Sequence, residues 1–92
     1  MAKVIWERQA LDDLDQIIGY IMEHDAAAAV RIGNRLVDLG ESLALFPQRG
    51  RPTAAGRREM TTVPPYVLTY VAADDAVSIL SIRHGARRPI ED

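Results

Sequence analysis

The spacing of hydrophobic residues along the chain changes from one segment to the next and predicts the elements in turn. Residues 3–6, "KVIW", are a short β-branched and aromatic run that predicts a first strand. A three- and four-residue spacing then predicts an amphipathic helix that ends near His24, with an apolar face of Leu11, Leu14, Ile17, Ile18, Ile21 and Met22. Gly19 lies inside this helix, and we expect it to mark close packing against a neighbouring element.

A second helix is predicted over residues 26–46. Asp25 is a suitable N-cap at its start, and Pro47 ends it because proline cannot continue the helical hydrogen bonds. Its apolar stripe has the same spacing and consists of Ala29, Ile32, Leu36, Leu39, Leu43 and Phe46. Because only one or two residues separate the two helices, we expect an antiparallel helical hairpin.

The second half of the chain is predicted to form strands. Residues 47–57 contain prolines, glycines and arginines without apolar periodicity and are predicted as a loop. Three short segments follow at residues 58–63, 66–72 and 76–82, and the acidic turn Asp74-Asp75 joins the last two into a hairpin. The residues from His84 onward are expected to leave the sheet. The order of elements predicts one α+β domain over residues 1–92: an N-terminal strand, an antiparallel helical hairpin and a three-stranded antiparallel meander in one mostly antiparallel sheet.

Composition excludes several kinds of site. The 92 residues include no cysteine, which excludes a disulfide scaffold, a thiolate zinc site and a cysteine nucleophile. Two histidines and no metal-ligand spacing give no reason to expect a metal, and no glycine-rich phosphate loop follows a strand, so we expect no cofactor. The sequence has neither a membrane-spanning run nor a signal-peptide pattern near its start. We therefore expect a cytoplasmic protein that does not bind membranes.

Charge is distributed unevenly and draws attention to the arginines. Residues 1–48 carry four basic and eight acidic residues, whereas residues 49–92 carry seven arginines and five acidic residues. If the meander forms, Arg58 and Arg83 lie on the two strands that flank the middle one, and all seven arginines could share one end or face. Such a face would bind phosphates or a carboxylate-rich protein segment. The seven are Arg49, Arg51, Arg57, Arg58, Arg83, Arg87 and Arg88.

Other polar residues offer weaker candidates. Asp12, Asp13 and Asp15 are interpreted as surface acids that match the dipole of the first helix in its early turns. Ser81 and His84 lack an acid placed to complete a catalytic triad, although His84 alone is a candidate general base. Tyr66 and Tyr70 share a face of the third predicted strand. For these two tyrosines, packing in the core is favoured over stacking on nucleic-acid bases.

Several segments, taken in order, resemble the RelE/ParE superfamily of bacterial type II toxins. They are "ALDDLDQIIGYI", "SLALFPQRGRP", "RREM" and "PYVLTYVAADDAVSILSIRHGARR", and the last is most similar to the ParE branch. The resemblance covers nearly the whole chain and implies a helical hairpin on an antiparallel sheet. It also implies a cognate ParD-type antitoxin whose C-terminal segment lays a helix over the hairpin and an extended piece along the sheet.

The two branches of this superfamily imply different targets. RelE-like members cut messenger RNA on the ribosome and carry loop lysines, a strand arginine, and an arginine and a tyrosine near the C-terminus. Arg58 matches the strand arginine and Arg83 or Arg87 the later one, but Arg49 and Arg51 replace the loop lysines and the tail has no tyrosine. The resemblance therefore favours a non-enzymatic, ParE-like toxin that poisons DNA gyrase.

The alternative is a ribosome-dependent endoribonuclease that would use Arg58, His84 and Arg87. In the favoured interpretation the same region binds the target or the antitoxin, through Arg49, Arg51, Arg58, Arg83, His84, Arg87 and Arg88.

Overall fold

The structure is a computed structural model that describes residues 1–85. Strand β1 precedes two helices, and four strands follow them along the chain. The bounds are β1 Lys3–Trp6, α1 Arg8–Met22, α2 Ala26–Ser42, β2 Arg51–Pro52, β3 Arg58–Met60, β4 Tyr66–Ala73 and β5 Ala76–His84, with a single 3-10 turn at Ala54–Gly56. The α+β class and the helical hairpin are thus confirmed.

The five strands form one mixed sheet in the order β1-β5-β4-β3-β2. The predicted meander of β3, β4 and β5 is present, with antiparallel pairs such as Leu68 opposite Ile82. Strand β1, however, pairs with β5 in parallel, with Val4 beside Val77. The predicted N-terminal strand and meander give four strands, but the sheet has a fifth. Arg51 and Pro52, which were predicted to lie in a loop, pair with β3 as an additional edge strand.

The helix boundaries differ from the predicted ones at the C-terminal end of both helices. Helix α1 begins at Arg8, so the three aspartates lie beyond its first turn and the helix-dipole interpretation was wrong. It ends at Met22, two residues before the predicted end. The N-cap prediction for α2 is confirmed, since the Ala28 amide donates to Asp25 Oδ1 at 3.0 Å. Helix α2 ends at Ser42, four residues before the predicted end at Phe46.

Both helices pack on one face of the sheet, which we call the inner face. Buried side chains from the helices and from β3, β4 and β5 meet there, and they include Leu14, Leu36, Leu43, Met60, Leu68, Tyr70, Ile79 and Ile82. Because side chains alternate along a strand, the neighbours of these strand residues point to the opposite side, which we call the outer face. The predicted shared face of Tyr66 and Tyr70 is confirmed as the inner face, against the core.

The last strand is longer than predicted. The two-residue turn at Asp74-Asp75 joins β4 to β5 as expected, and Asp74 adopts a positive φ of 56°. Strand β5 continues to His84, so Arg83 and His84 belong to the sheet and do not leave it. Their register opposite Val67 and Tyr66 therefore decides which face each side chain occupies.

Candidate functional site

A carboxylate on the outer face joins two of the candidate arginines. Glu59 accepts from Arg51 Nη2 through Oε1 at 3.0 Å and from Arg83 Nη2 through Oε2 at 3.1 Å. The Glu59 side chain is only 12% exposed, whereas that of Arg51 is 72% exposed. We call these three residues the Glu59 cluster. Its ionic contacts neutralise part of the basic charge that the sequence places in this half of the chain.

Arg58 lies on the inner face and holds a loop. It lies opposite Tyr70 in the register of β3 and β4. Its Nη1 donates to the Gly50 carbonyl at 2.7 Å and to the Gln48 carbonyl at 3.3 Å. The Tyr70 hydroxyl donates to the Pro47 carbonyl at 2.9 Å and accepts from the Gly50 amide at 2.8 Å. We call this set of contacts the loop clamp, because two sheet side chains fix residues 47–50.

Arg58 and Arg83 do not share one face of the sheet, although the sequence suggested one end or face for all seven arginines. Arg58 and Arg83 do flank β4, but Arg58 pairs with the inner-face residue Tyr70, while Arg83 is opposite the outer-face residue Val67. Since a strand presents alternate residues to opposite faces, these two guanidinium groups cannot belong to one surface patch of the sheet.

A row of core residues separates Arg58 from His84. Both lie on inner-face positions, but Met60, Leu68 and Ile82 are paired side by side between them and are each at most 5% exposed. Strand spacing places the two backbones about 16 Å apart. A general base and its charge-stabilising partner must both reach one reacting group, so this arrangement does not assemble a catalytic pair.

His84 lies beside a groove between α1 and the end of β5. The groove has a volume of about 700 Å³ and is lined by Asp13, Gln16, Ile17, Tyr20, Tyr66, Ile82, Arg83 and His84. The His84 ring meets the Tyr66 ring edge to face, with centroids 5.9 Å apart. Asp13 closes one side by accepting the Ile82 amide through Oδ2 at 3.0 Å. The wall of the groove is thus built from packed and hydrogen-bonded groups.

Two further candidate arginines lie among the described residues. Arg49 is exposed after α2, and its Nη1 donates to Ser42 Oγ at 3.2 Å, while Arg57 is exposed before β3. Arg87 and Arg88 lie outside the described residues. Within residues 1–85, no cluster of three or more histidine, aspartate or glutamate side chains could hold a metal ion, and no helix could span a membrane.

Comparison with known proteins identifies the family. A family model described as the ParE toxin of the type II toxin–antitoxin system parDE matches residues 4–89. The chain belongs to the ParE toxin family. Toxin RelE2 of Caulobacter vibrioides is 47% identical over 87 residues, covering 95% of this chain and 99% of that protein. Toxin RelE1 of the same organism is 32% identical over 81 residues, covering 84% and 86%.

A solved structure shares the fold of this ParE family member. It is that of the chromosomal ParDE toxin–antitoxin system of P. aeruginosa, with a TM-score of 0.80 over 91% of this chain and 96% of that chain. At 24% sequence identity, the match supports the fold: two helices against a mixed sheet.

Two residues of this ParE toxin were missed by the sequence reasoning as parts of the site. Glu59 is the single acid among the arginines of "RGRPTAAGRRE", which is a signal for ion pairing that could have been recognised. Tyr70 was assigned to core packing, and its inner-face position is correct, but nothing in the local sequence shows that its hydroxyl reaches Pro47 and Gly50. These two contacts join residues that are 20 and 23 positions apart in the chain.

Proposed function

We propose that this ParE family toxin inhibits growth by poisoning DNA gyrase and is neutralised by a ParD-type antitoxin. The choice of target rests on the hydrogen bonds that Arg58 makes. Its guanidinium donates to two loop carbonyls, and buried core residues separate it from His84. Arg58 and His84, two of the three residues on which the RNA-cleaving alternative depends, are therefore engaged in structure or held apart, which favours a toxin that acts by binding.

The proposed antitoxin contact is supported by the helical hairpin. Leu11 on α1 and Val30 and Val37 on α2 are between 38% and 56% exposed, although each is apolar. An amphipathic partner helix buries such side chains by laying its own apolar face along them. The ParDE description of the matching family and of the solved structure agrees with a ParD-type partner.

A ribosome-dependent ribonuclease is the competing function, since relatives of this chain carry the name RelE. His84→Ala separates the two functions because it removes the candidate base without touching the loop clamp. Induced expression of the His84→Ala chain should still arrest growth, and relaxed plasmid should accumulate in those cells. Cleaved messenger RNA in cells that express the wild-type chain, absent together with the growth arrest in His84→Ala, would favour the ribonuclease and contradict the gyrase proposal.

A further inference from the structure

The turn that follows α2 presents apolar side chains to solvent. Leu45 is 62% exposed and Phe46, the only phenylalanine of the chain, is 60% exposed. We call residues 45–49 the projecting turn. Exposed large apolar side chains grouped together on a small protein are typical of an interaction site. An open depression of about 800 Å³ lies beside them, and its described lining is Phe46, Pro47, Gln48 and Arg49.

The projecting turn has a fixed conformation. The amides of Leu45 and Phe46 donate to the Ser42 carbonyl at 3.2 and 3.3 Å, and the Arg49 amide donates to the Phe46 carbonyl at 3.1 Å. The loop clamp then attaches its C-terminal end to the sheet through Tyr70 and Arg58. A preformed surface loses little conformational entropy when it binds, so the exposed phenyl ring is suited to recognition.

Gly50 allows the end of the projecting turn to approach Tyr70 and the backbone of β3 closely. A Cβ at Gly50 would lie 2.7 Å from Tyr70 Cε1 and 2.9 Å from the Glu59 carbonyl oxygen. No side chain fits there without movement of the strand backbone. The close approach brings the Gly50 amide and carbonyl within reach of Tyr70 and Arg58 at once.

Charge around the turn indicates the chemistry of the partner. Residues 46–58 include four arginines and no acidic residue. Arg51 is paired with Glu59 and Arg58 is part of the loop clamp, while Arg49 and Arg57 are exposed. Arg49 is the one arginine within the projecting turn, and one exposed cation is few for a phosphate backbone, which several cations usually neutralise. It suits an apolar pocket that carries a carboxylate at its rim.

We propose that the projecting turn binds the protein that this toxin inhibits, with Phe46 in an apolar pocket and Arg49 against a carboxylate at the rim. Arg58 and Tyr70 are positioning residues in this arrangement, because they act through the turn and not on the partner. The inference rests on the proposed function in one respect, namely that the toxin acts on a protein.

The direct test measures inhibition of purified DNA gyrase by full-length variants. Phe46→Ala and Arg49→Glu should each raise the concentration needed to block supercoiling, by about 10- to 100-fold for the aromatic residue at the centre of the contact. Met22→Ala and Arg8→Glu are matched controls, an exposed apolar residue and an exposed arginine elsewhere, and should stay within about 2-fold of wild type. Emission from Trp6, the only tryptophan, checks that each variant is folded.

A separate variant tests the positioning role of Tyr70. Tyr70→Phe retains Phe46 and Arg49 but removes the hydroxyl that holds Pro47 and Gly50, so it should weaken inhibition less than Phe46→Ala does. Wild-type potency in Phe46→Ala would overturn the inference. An equal loss of co-purified antitoxin in Phe46→Ala would overturn it too, because the turn would then serve the antitoxin. An equal loss of binding to a fluorescent 20-nucleotide thymidine oligomer would also overturn it, because the turn would then serve a nucleic acid.

Failure of the proposed gyrase target can be told apart from failure of this inference. If the wild-type chain leaves gyrase untouched, the proposed target is wrong, and growth arrest on induced expression becomes the measurement. Relief of the arrest by Phe46→Ala but not by Met22→Ala would support a target-binding turn with another protein as its partner. Full arrest by Phe46→Ala would overturn it.

Discussion

At the scale of single residues, the indole of Trp6 lies against the backbone of α2. A Cβ at Gly40 would be 2.6 Å from Trp6 Cη2 and 2.7 Å from Ile79 Cδ1. The same indole donates from Nε1 to Glu41 Oε2 at 2.8 Å. Gly40 therefore allows the first strand and the second helix to approach each other, although glycine is a poor helix former.

Two helical glycines should respond to alanine in opposite directions. Gly40→Ala should lower the free energy of unfolding by about 1–3 kcal/mol, because the added methyl group overlaps Trp6 and Ile79. Gly19→Ala should raise it by up to about 1 kcal/mol, because alanine favours the helix and no other element among residues 1–85 comes within 4 Å of its Cβ position; the close packing expected at Gly19 was wrong. Urea unfolding followed by circular dichroism measures both. Equal effects of the two substitutions would contradict the packing described for Gly40.

Replacing Asp13 should lower the free energy of unfolding more than replacing the neighbouring Asp12. It accepts the Ile82 amide through Oδ2 and the Gln9 side chain through Oδ1, whereas Asp12 is exposed. Asp13→Ala leaves the strand amide without this acceptor and should cost about 1–3 kcal/mol of unfolding free energy. Asp13→Asn keeps an acceptor oxygen and should cost less. Urea unfolding of Asp12→Ala supplies the control, and a loss there as large as in Asp13→Ala would contradict this account.

At the scale of elements, the loop clamp converts a proline- and glycine-rich connection into a fixed one. Tyr70→Phe should accelerate hydrogen exchange of the Gly50 amide on the order of tenfold, because that amide loses its acceptor. Exchange measured by NMR on the intact chain tests this, and Tyr20→Phe, an exposed tyrosine on α1, should leave the Gly50 rate unchanged. An unchanged rate in Tyr70→Phe would show that other contacts hold the loop.

Locally encoded elements could be predicted from the sequence, and those that depend on distant partners could not. Strand β1, the Asp25 cap and the Asp74-Asp75 hairpin follow from spacing, capping and turn residues, and they occur where expected. Strand β2 exists only because Arg51 and Pro52 pair with β3. Phe46 continued the apolar spacing of α2, yet the helix ends at Ser42 and leaves this side chain exposed.

At the scale of the whole molecule, the register of the sheet divides the arginines between two surfaces. Their number and the flanking positions of Arg58 and Arg83 were readable from the sequence. The face of each was not, since it depends on which residues pair across β4. Arg58 is consequently enclosed by the loop that it holds, and Arg83 is joined to Glu59. The binding surface that we propose is built from the loop and the helices and not from one arginine face.

We propose that this ParE family toxin acts on gyrase and not on ribosome-bound messenger RNA. One purified preparation, titrated in parallel into a gyrase supercoiling reaction and a bacterial translation extract, tests that claim most directly. A gyrase poison should block supercoiling at concentrations that leave translation and the messenger RNA intact. Undisturbed supercoiling together with cleaved messenger RNA would contradict it.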